Sequence, residues 1–165
     1  MVRTHTGELN ARHLRVAVIA SRFNETISRS LVEGALDRLR RQGVAEEDLT
    51  VTWVPGAFEL PLAAKRIASS GEVDAVVCCG AVIRGETAHF EFVAQHAASG
   101  IGAAALETGI PITFGVLTTE DTDQATERAG GKLGNKGAEA ADAAIEMANL
   151  LAALPKPASD GGPGA

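Results

Sequence analysis

A proton carrier and an anion cradle lie within one short stretch, Gly80-Ala-Val-Ile-Arg-Gly-Glu-Thr-Ala-His89. It follows apolar β-formers at residues 73–79 and precedes a long alanine-rich segment that reads as helix. Strand, glycine-bounded loop and helix in that order place the loop at the carboxyl edge of a parallel sheet, where open α/β folds bind ligands. Backbone N–H groups near a helix start suit an anion. A histidine ends the loop, and an imidazole ordinarily titrates nearest neutrality. Together these groups fit chemistry on a phosphorylated or polar small molecule. The same residues also make a plain strand-to-helix turn with a solvent-exposed His89, and the stretch alone does not separate the two readings.

Other loops carry groups with a similar double reading. Phe23 in a polar loop can stack on a planar ring or plug the core. Glu59, in a helix's first turn, can favour the helix dipole or accept hydrogen bonds from ligand hydroxyls. Arg128 can fork onto a phosphate or stay solvated. Lys136, set among glycines, is a surface charge or a site residue. Aromatic residues make up only 4% of the chain and tyrosine is absent, so any Phe or Trp near a loop is informative.

The elements that must position these groups alternate. Residues 14–20 read as a first strand, with a continuous apolar run that suits a strand covered on both faces. Asn24 is an expected N-cap for a helix over 25–42, where Ile27, Leu31, Ala35 and Leu39 share a face. On its solvated side Arg29–Glu33 and Asp37–Arg41 are expected charge pairs. Residues 49–54 alternate as a second strand. A second helix opens at Ala57, with Pro61 in its first turn. The third strand and the histidine loop follow, then a helix over 89–107 rich in Ala and Gly. That composition demands close packing, on its own sheet or across a subunit interface.

A fourth strand is expected at 112–117. Asp121 and Gln124 form a capping box before a short helix that carries Arg128. A glycine-rich connector at 130–137 leads to a last helix over 138–151, with Ala141, Ile145 and Ala148 inward and Glu139, Asp142 and Glu146 toward water. Strands alternating with helices predict an α/β fold, a four-stranded parallel sheet with helices on both faces and loops gathered at one edge. The expected organisation is an arm at 1–13, one domain at 14–154 and a disordered tail at 155–165. The arm is either a loose lead-in or a segment that orders on a neighbouring subunit.

At 165 residues the chain suits a single domain with a real core. No apolar run approaches a membrane span, and the N-terminus lacks a signal pattern, which points to a cytoplasmic protein. The formal charge is −6 and no long Lys/Arg block occurs, which disfavours nucleic acid as a partner. Cys78 and Cys79 are adjacent in a strand and point to opposite faces, so they read as structural thiols. No metal spacing is present.

Taken together, Phe23-Asn24, Val54-Pro-Gly-Ala-Phe-Glu-Leu-Pro61, Gly80 through Phe90, Phe114-Gly-Val-Leu-Thr118, Gln124-Ala-Thr-Glu-Arg128 and Asn135-Lys-Gly-Ala-Glu139 resemble the 6,7-dimethyl-8-ribityllumazine synthase family in order and spacing. The resemblance runs from about Leu14 to Leu151. It implies a flavodoxin-like three-layer fold and a cofactor-free, metal-free condensation. The substrates would be 5-amino-6-(D-ribitylamino)uracil and 3,4-dihydroxy-2-butanone 4-phosphate, in the penultimate step of riboflavin biosynthesis.

By that resemblance, Phe23 and Asn24 belong to the pyrimidine pocket, with Phe23 stacked on the ring. Ala57, Phe58 and Glu59 hold the pyrimidine and ribityl chain, and Ala81, Val82 and Ile83 line the pocket through their backbone. Glu86 and Thr87 offer N–H groups to phosphate, Arg128 completes that site, and His89 carries protons. Phe114, Arg128 and Lys136 would come from a neighbouring subunit. The resemblance further implies a homopentamer, assembled into an icosahedral shell, with the arm adding an edge strand to a neighbour's sheet. A non-catalytic riboflavin or lumazine binder, or a shell protein of the same fold, is the competing implication. Intact His89, Arg128 and Lys136 favour the enzyme. Cys78-Cys79 and Gln95-His96 depart from the family pattern, and His96 is expected at a helical surface or interface.

Overall fold

The computed structural model describes residues 1–158. Its sheet is parallel throughout, with β1 (Val16–Ser21), β2 (Leu49–Val54), β3 (Ala75–Ile83) and β4 (Ile112–Thr119) in the order β2-β1-β3-β4. β1 and β3 are central, and both are buried along almost their whole length. Side chains alternate across the sheet. Val16, Val18, Ala20, Val77 and Cys79 join one core, and Ala17, Ile19, Val76 and Cys78 join the other.

The first core is closed by α1 (Glu25–Arg41) and α5 (Lys136–Ala153), through Leu31, Ala35, Leu39, Ala141 and Ile145. The second is closed by α2 (Leu60–Ala68) and α3 (His89–Thr108), through Leu60, Ala64, Ala97 and Ile101. The result is the flavodoxin-like three-layer α/β architecture that the alternation predicts. The two cysteines face opposite cores, as their adjacency requires. Burial pushes the Cys79 thiol up to about 12, and burial followed by its neighbour pushes Cys78 higher still. Neither offers a thiolate near neutrality.

Several local expectations are corrected. β3 continues through Gly80 to Ile83, so the histidine loop proper is only residues 84–88. Asn24 occupies the N-cap position of α1 with φ 59°, but its side chain does not cap the helix; it donates to the Ala81 carbonyl at 3.0 Å. Arg29 pairs with Glu25 at 2.6 Å rather than with Glu33. A short 3-10 turn at Ala57–Glu59 precedes α2. Asp142 is half-buried and bonded to Arg38 of α1 instead of facing water. The glycine-rich connector folds into a small antiparallel hairpin, β5 (Ala129–Gly131) with β6 (Gly134–Asn135).

Residues 8–11 lean on their own chain. The Asn149 amide donates to the carbonyls of Glu8 and Asn10, at 2.6 and 2.9 Å, and the Ala11 N–H bonds to the Gln42 carbonyl. Residues 155–158 are exposed without regular structure, and 159–165 of the expected tail lie outside the described residues.

Candidate functional site

All the predicted site residues except Glu86 fall into two separate cavities. The larger, about 780 Å³, opens at the carboxyl edge of β1, β2 and β3. Its lining contains Phe23, Asn24, Ala57, Phe58, Glu59, Ala81, Val82, Ile83, Thr87 and His89. The smaller, about 370 Å³, lies along the edge strand β4 and is lined by Phe114, Arg128 and Lys136 among others. The two linings share no residue. Glu86 is exposed and lines neither.

Local sequence explains the larger cavity. β1 ends at Ser21, and the chain turns through Arg22 and Phe23, whose N–H groups bond to the carbonyls of Val54 and Pro55. That tie brings Phe23 beside the end of β2. Phe23 is 73% exposed and Phe58 50%, which rules out the core-plug reading for Phe23. Asn24 clasps Ala81, joining the first loop to β3. Glu59 folds back so that its carboxylate accepts the Gly56 N–H at 3.0 Å, and this fixes the turn that displays Phe58. His89 is the first residue of α3 and its side chain is exposed at the cavity.

The smaller cavity depends on α4 (Thr122–Arg128) and the start of α5. Asp121 caps α4 by accepting the Gln124 N–H at 2.8 Å, and the Gln124 side chain accepts the Glu120 N–H at 2.9 Å. Half-buried Arg128 spends one guanidinium N–H on the Gln124 carbonyl at 3.0 Å. The Asn135 side chain accepts the N–H groups of Gly137 and Ala138 and donates to the Ser30 carbonyl at 2.9 Å. This cap locks α5 against α1 and sets Lys136, which pairs with Glu139 at 3.1 Å.

Sequence reasoning missed Pro55, Gly85, Phe90, Phe92 and Val93 in the larger lining, and Leu133 and Glu139 in the smaller. The scarcity of aromatics was a usable signal. All 5 phenylalanines of the chain line one cavity or the other. His96 was also missed: its ring stacks on Phe58 with centroids 3.9 Å apart and planes at 24°. It lines neither cavity and touches the site through Phe58. Among the described residues no cluster of His, Cys, Asp and Glu could hold a metal ion, and no helix is long and apolar enough to cross a membrane.

A family model described as 6,7-dimethyl-8-ribityllumazine synthase matches residues 13–152. The chain belongs to that family. It is 52% identical over 149 residues to a protein named 6,7-dimethyl-8-ribityllumazine synthase from Protochlamydia amoebophila (strain UWE25), covering 90% of this chain and 87% of the relative. The matched span begins just ahead of β1 and ends within α5, so it takes in every residue that lines either cavity. For a lumazine synthase, the division is instructive. Phe23, Phe58 and the backbone groups expected around a heterocycle stand in one cavity, and the expected cations stand in the other beside Phe114.

Proposed function

We propose that the working site is composite: the larger cavity of one copy of the chain faces the smaller cavity of another. The enzyme is a lumazine synthase. It condenses 5-amino-6-(D-ribitylamino)uracil with 3,4-dihydroxy-2-butanone 4-phosphate to 6,7-dimethyl-8-ribityllumazine, releasing phosphate and water, in riboflavin biosynthesis. The observation that supports the composite reading is the separation of His89 from Arg128 and Lys136 into linings with no common member.

Each group has a task in this reading. Phe23 stacks on the pyrimidine ring, beside Asn24, Ala57, Phe58 and the backbone of Ala81, Val82 and Ile83. Glu59 accepts from ribityl hydroxyls with the carboxylate oxygen that the Gly56 N–H leaves free. The substrate amine attacks the ketone to give a carbinolamine, which loses water to an imine. Each stage moves a proton, and His89, at the cavity wall, gives or takes it. Arg128 and Lys136 meet the phosphate end and the ribityl end respectively. The backbone N–H groups of Glu86 and Thr87 join Arg128 in stabilising the departing phosphate. Holding two reactants in register removes much of the remaining barrier, about 7–11 kcal/mol in favourable cases.

The assembly belongs to the same reading: a pentamer, built into an icosahedral shell, with the N-terminal arm beside a neighbour's sheet, in the cytoplasm. Leu62, Phe92 and Leu106 support such contacts, since they are 75%, 71% and 89% exposed on the α2–α3 face. Light scattering that finds only a pentamer-sized particle would remove the shell.

Complementation tests the composite site. His89→Ala and Arg128→Ala chains are assembled singly and as a mixture, and lumazine absorbance is followed after both substrates are added. Random mixing restores both intact halves at about a quarter of interfaces, so the mixture should exceed either variant alone. A mixture no better than its components overturns the composite site.

A further inference from the structure

Arg84 follows the last residue of β3 and opens the loop that leads to His89. Its backbone N–H donates to the Thr119 carbonyl at 2.9 Å. Its Nε donates to the Glu120 carboxylate at 2.8 Å, and a terminal nitrogen reaches Glu91 at 3.5 Å. The guanidinium carbon lies 4.5 Å from the centre of the Phe90 ring. These contacts bracket the loop. Arg84 stands before residues 85–88, and Phe90 and Glu91 stand after them in the first turn of α3.

The loop itself has little else to shape it. Residues 85–89 are all exposed, and a Cβ on Gly85 would meet nothing within 4 Å. The side-chain bond found there, from the His89 N–H to Thr87 Oγ1, is long at 3.4 Å. The loop therefore takes its form from its ends. A guanidinium suits that task, because its planar fork serves two carboxylates at once while its face covers an aromatic ring. A lysine ammonium offers no such fork.

We propose that Arg84 is a positioning residue: it fixes the 85–88 loop, and with it His89 and the loop N–H groups, relative to the bound phosphate. It lines neither cavity, so it acts through the loop rather than on substrate. This inference rests on the reading of that loop as the phosphate cradle. Glu120 also sits at the turn into α4, so one guanidinium ties the His89 loop to the element that carries Arg128.

The test uses the assembled enzyme and the variants Arg84→Met, Arg84→Lys and Glu120→Gln. Arg84→Met keeps an apolar stem and removes the fork. Amide exchange across residues 85–89 should accelerate about tenfold. The KM for 3,4-dihydroxy-2-butanone 4-phosphate should rise about tenfold, with the pyrimidine KM within about twofold. Arg84→Lys should recover only part of both effects. Glu120→Gln, at an exposed carboxylate, should reproduce them in weaker form and carries the test if Arg84→Met does not fold. Unchanged exchange in both Arg84→Met and Glu120→Gln overturns the positioning role. Faster exchange with an unchanged ketone KM leaves Arg84 as the loop's anchor and overturns the phosphate-cradle reading instead.

Discussion

The two cavities differ in what they can hold. The larger is walled by phenylalanines, short aliphatic side chains and strand-end backbone, and Glu59 and His89 are its titratable side chains. The smaller is less than half that volume and concentrates Arg128, Lys136 and Glu139. A flat heterocycle fits the first, and an anion fits the second. Their supports differ as well. Loops tied to one another by backbone and amide bonds shape the larger cavity, whereas the tight seating of α5 on α1 shapes the smaller. On the proposed composite site, the larger cavity's rings and the smaller cavity's cations act together only where two copies meet, so catalysis and assembly would rest on the same contacts.

The support of the smaller cavity gives the largest expected effect. A Cβ on Gly137 would lie 2.0 Å from the Leu31 carbonyl oxygen, which is backbone and cannot swing aside. Gly137→Ala must push α5 off α1, at a cost of about 3 kcal/mol measured by urea unfolding. Lys136 opens α5 whereas Arg128 sits on α4, so the displaced Lys136 should raise the KM for the ribityl-bearing pyrimidine more than the KM for the phosphate substrate. Wild-type stability in this variant would mean that the helix contact yields easily.

His89→Ala attacks the larger cavity and should leave its shape intact. The turnover number should fall about 100-fold, the usual scale of a single acid–base group, with both KM values little changed. Activity should persist because positioning survives. An unchanged single-turnover rate would remove the proton role.

The sheet and the four helices packed on its faces were readable because each is a local pattern. The buried run of β1 and the four-residue steps of α1 fold as read, and Asp121 caps α4, although the Gln124 side chain takes the Glu120 N–H rather than closing the box on Asp121. What was not readable depends on distant partners. Asn24 looks like a cap in sequence, but the Ala81 carbonyl, 57 residues away, claims its amide. Asp142 looks solvated until α1 brings Arg38 beside it. Asn135-Lys-Gly137 reads as the end of a glycine-rich connector, yet Asn135 and Gly137 serve the helix seat while Lys136 reaches the cavity. His96 carried no local signal, because its partner Phe58 belongs to another element.

A pair remote from both cavities sharpens the contrast by leaving kinetics alone. Arg15 and Asp74 join the amino ends of β1 and β3 through a guanidinium–carboxylate pair at 3.1 Å and an N–H bond at 2.7 Å. Burial acts to raise the Asp74 carboxyl, but the Arg15 hydrogen bonds and charge outweigh it and hold the group below its ordinary value. A depressed carboxyl adds stability that is complete above the unfolded value, about 3.9, and is lost as pH falls through the folded value. Asp74→Asn should therefore cost about 1–2 kcal/mol at pH 7, and the gap from wild type should close below about pH 4. Turnover should not change. A gap that persists undiminished into acid would assign the effect to something other than this charge.

The smallest expected effect probes how finely the larger cavity is set. Phe58 stands half-exposed on a 3-10 turn, and a ring in that position is free to rotate unless something faces it. His96 faces it from α3. The approach is possible because Gly100, one turn on, lies against Pro61; a Cβ there would come within 2.6 Å of the proline ring. The stack is worth about 1 kcal/mol, the ordinary scale for paired rings. His96→Ala should raise the pyrimidine KM about fivefold and leave the ketone KM and the turnover number alone. His96→Phe restores a flat partner without a titratable nitrogen, so it should recover most of the loss. If His96→Phe binds pyrimidine as weakly as His96→Ala, ring stacking is not what orients Phe58. If neither variant differs from wild type, the cavity sets Phe58 without α3, and the loops alone account for ring recognition.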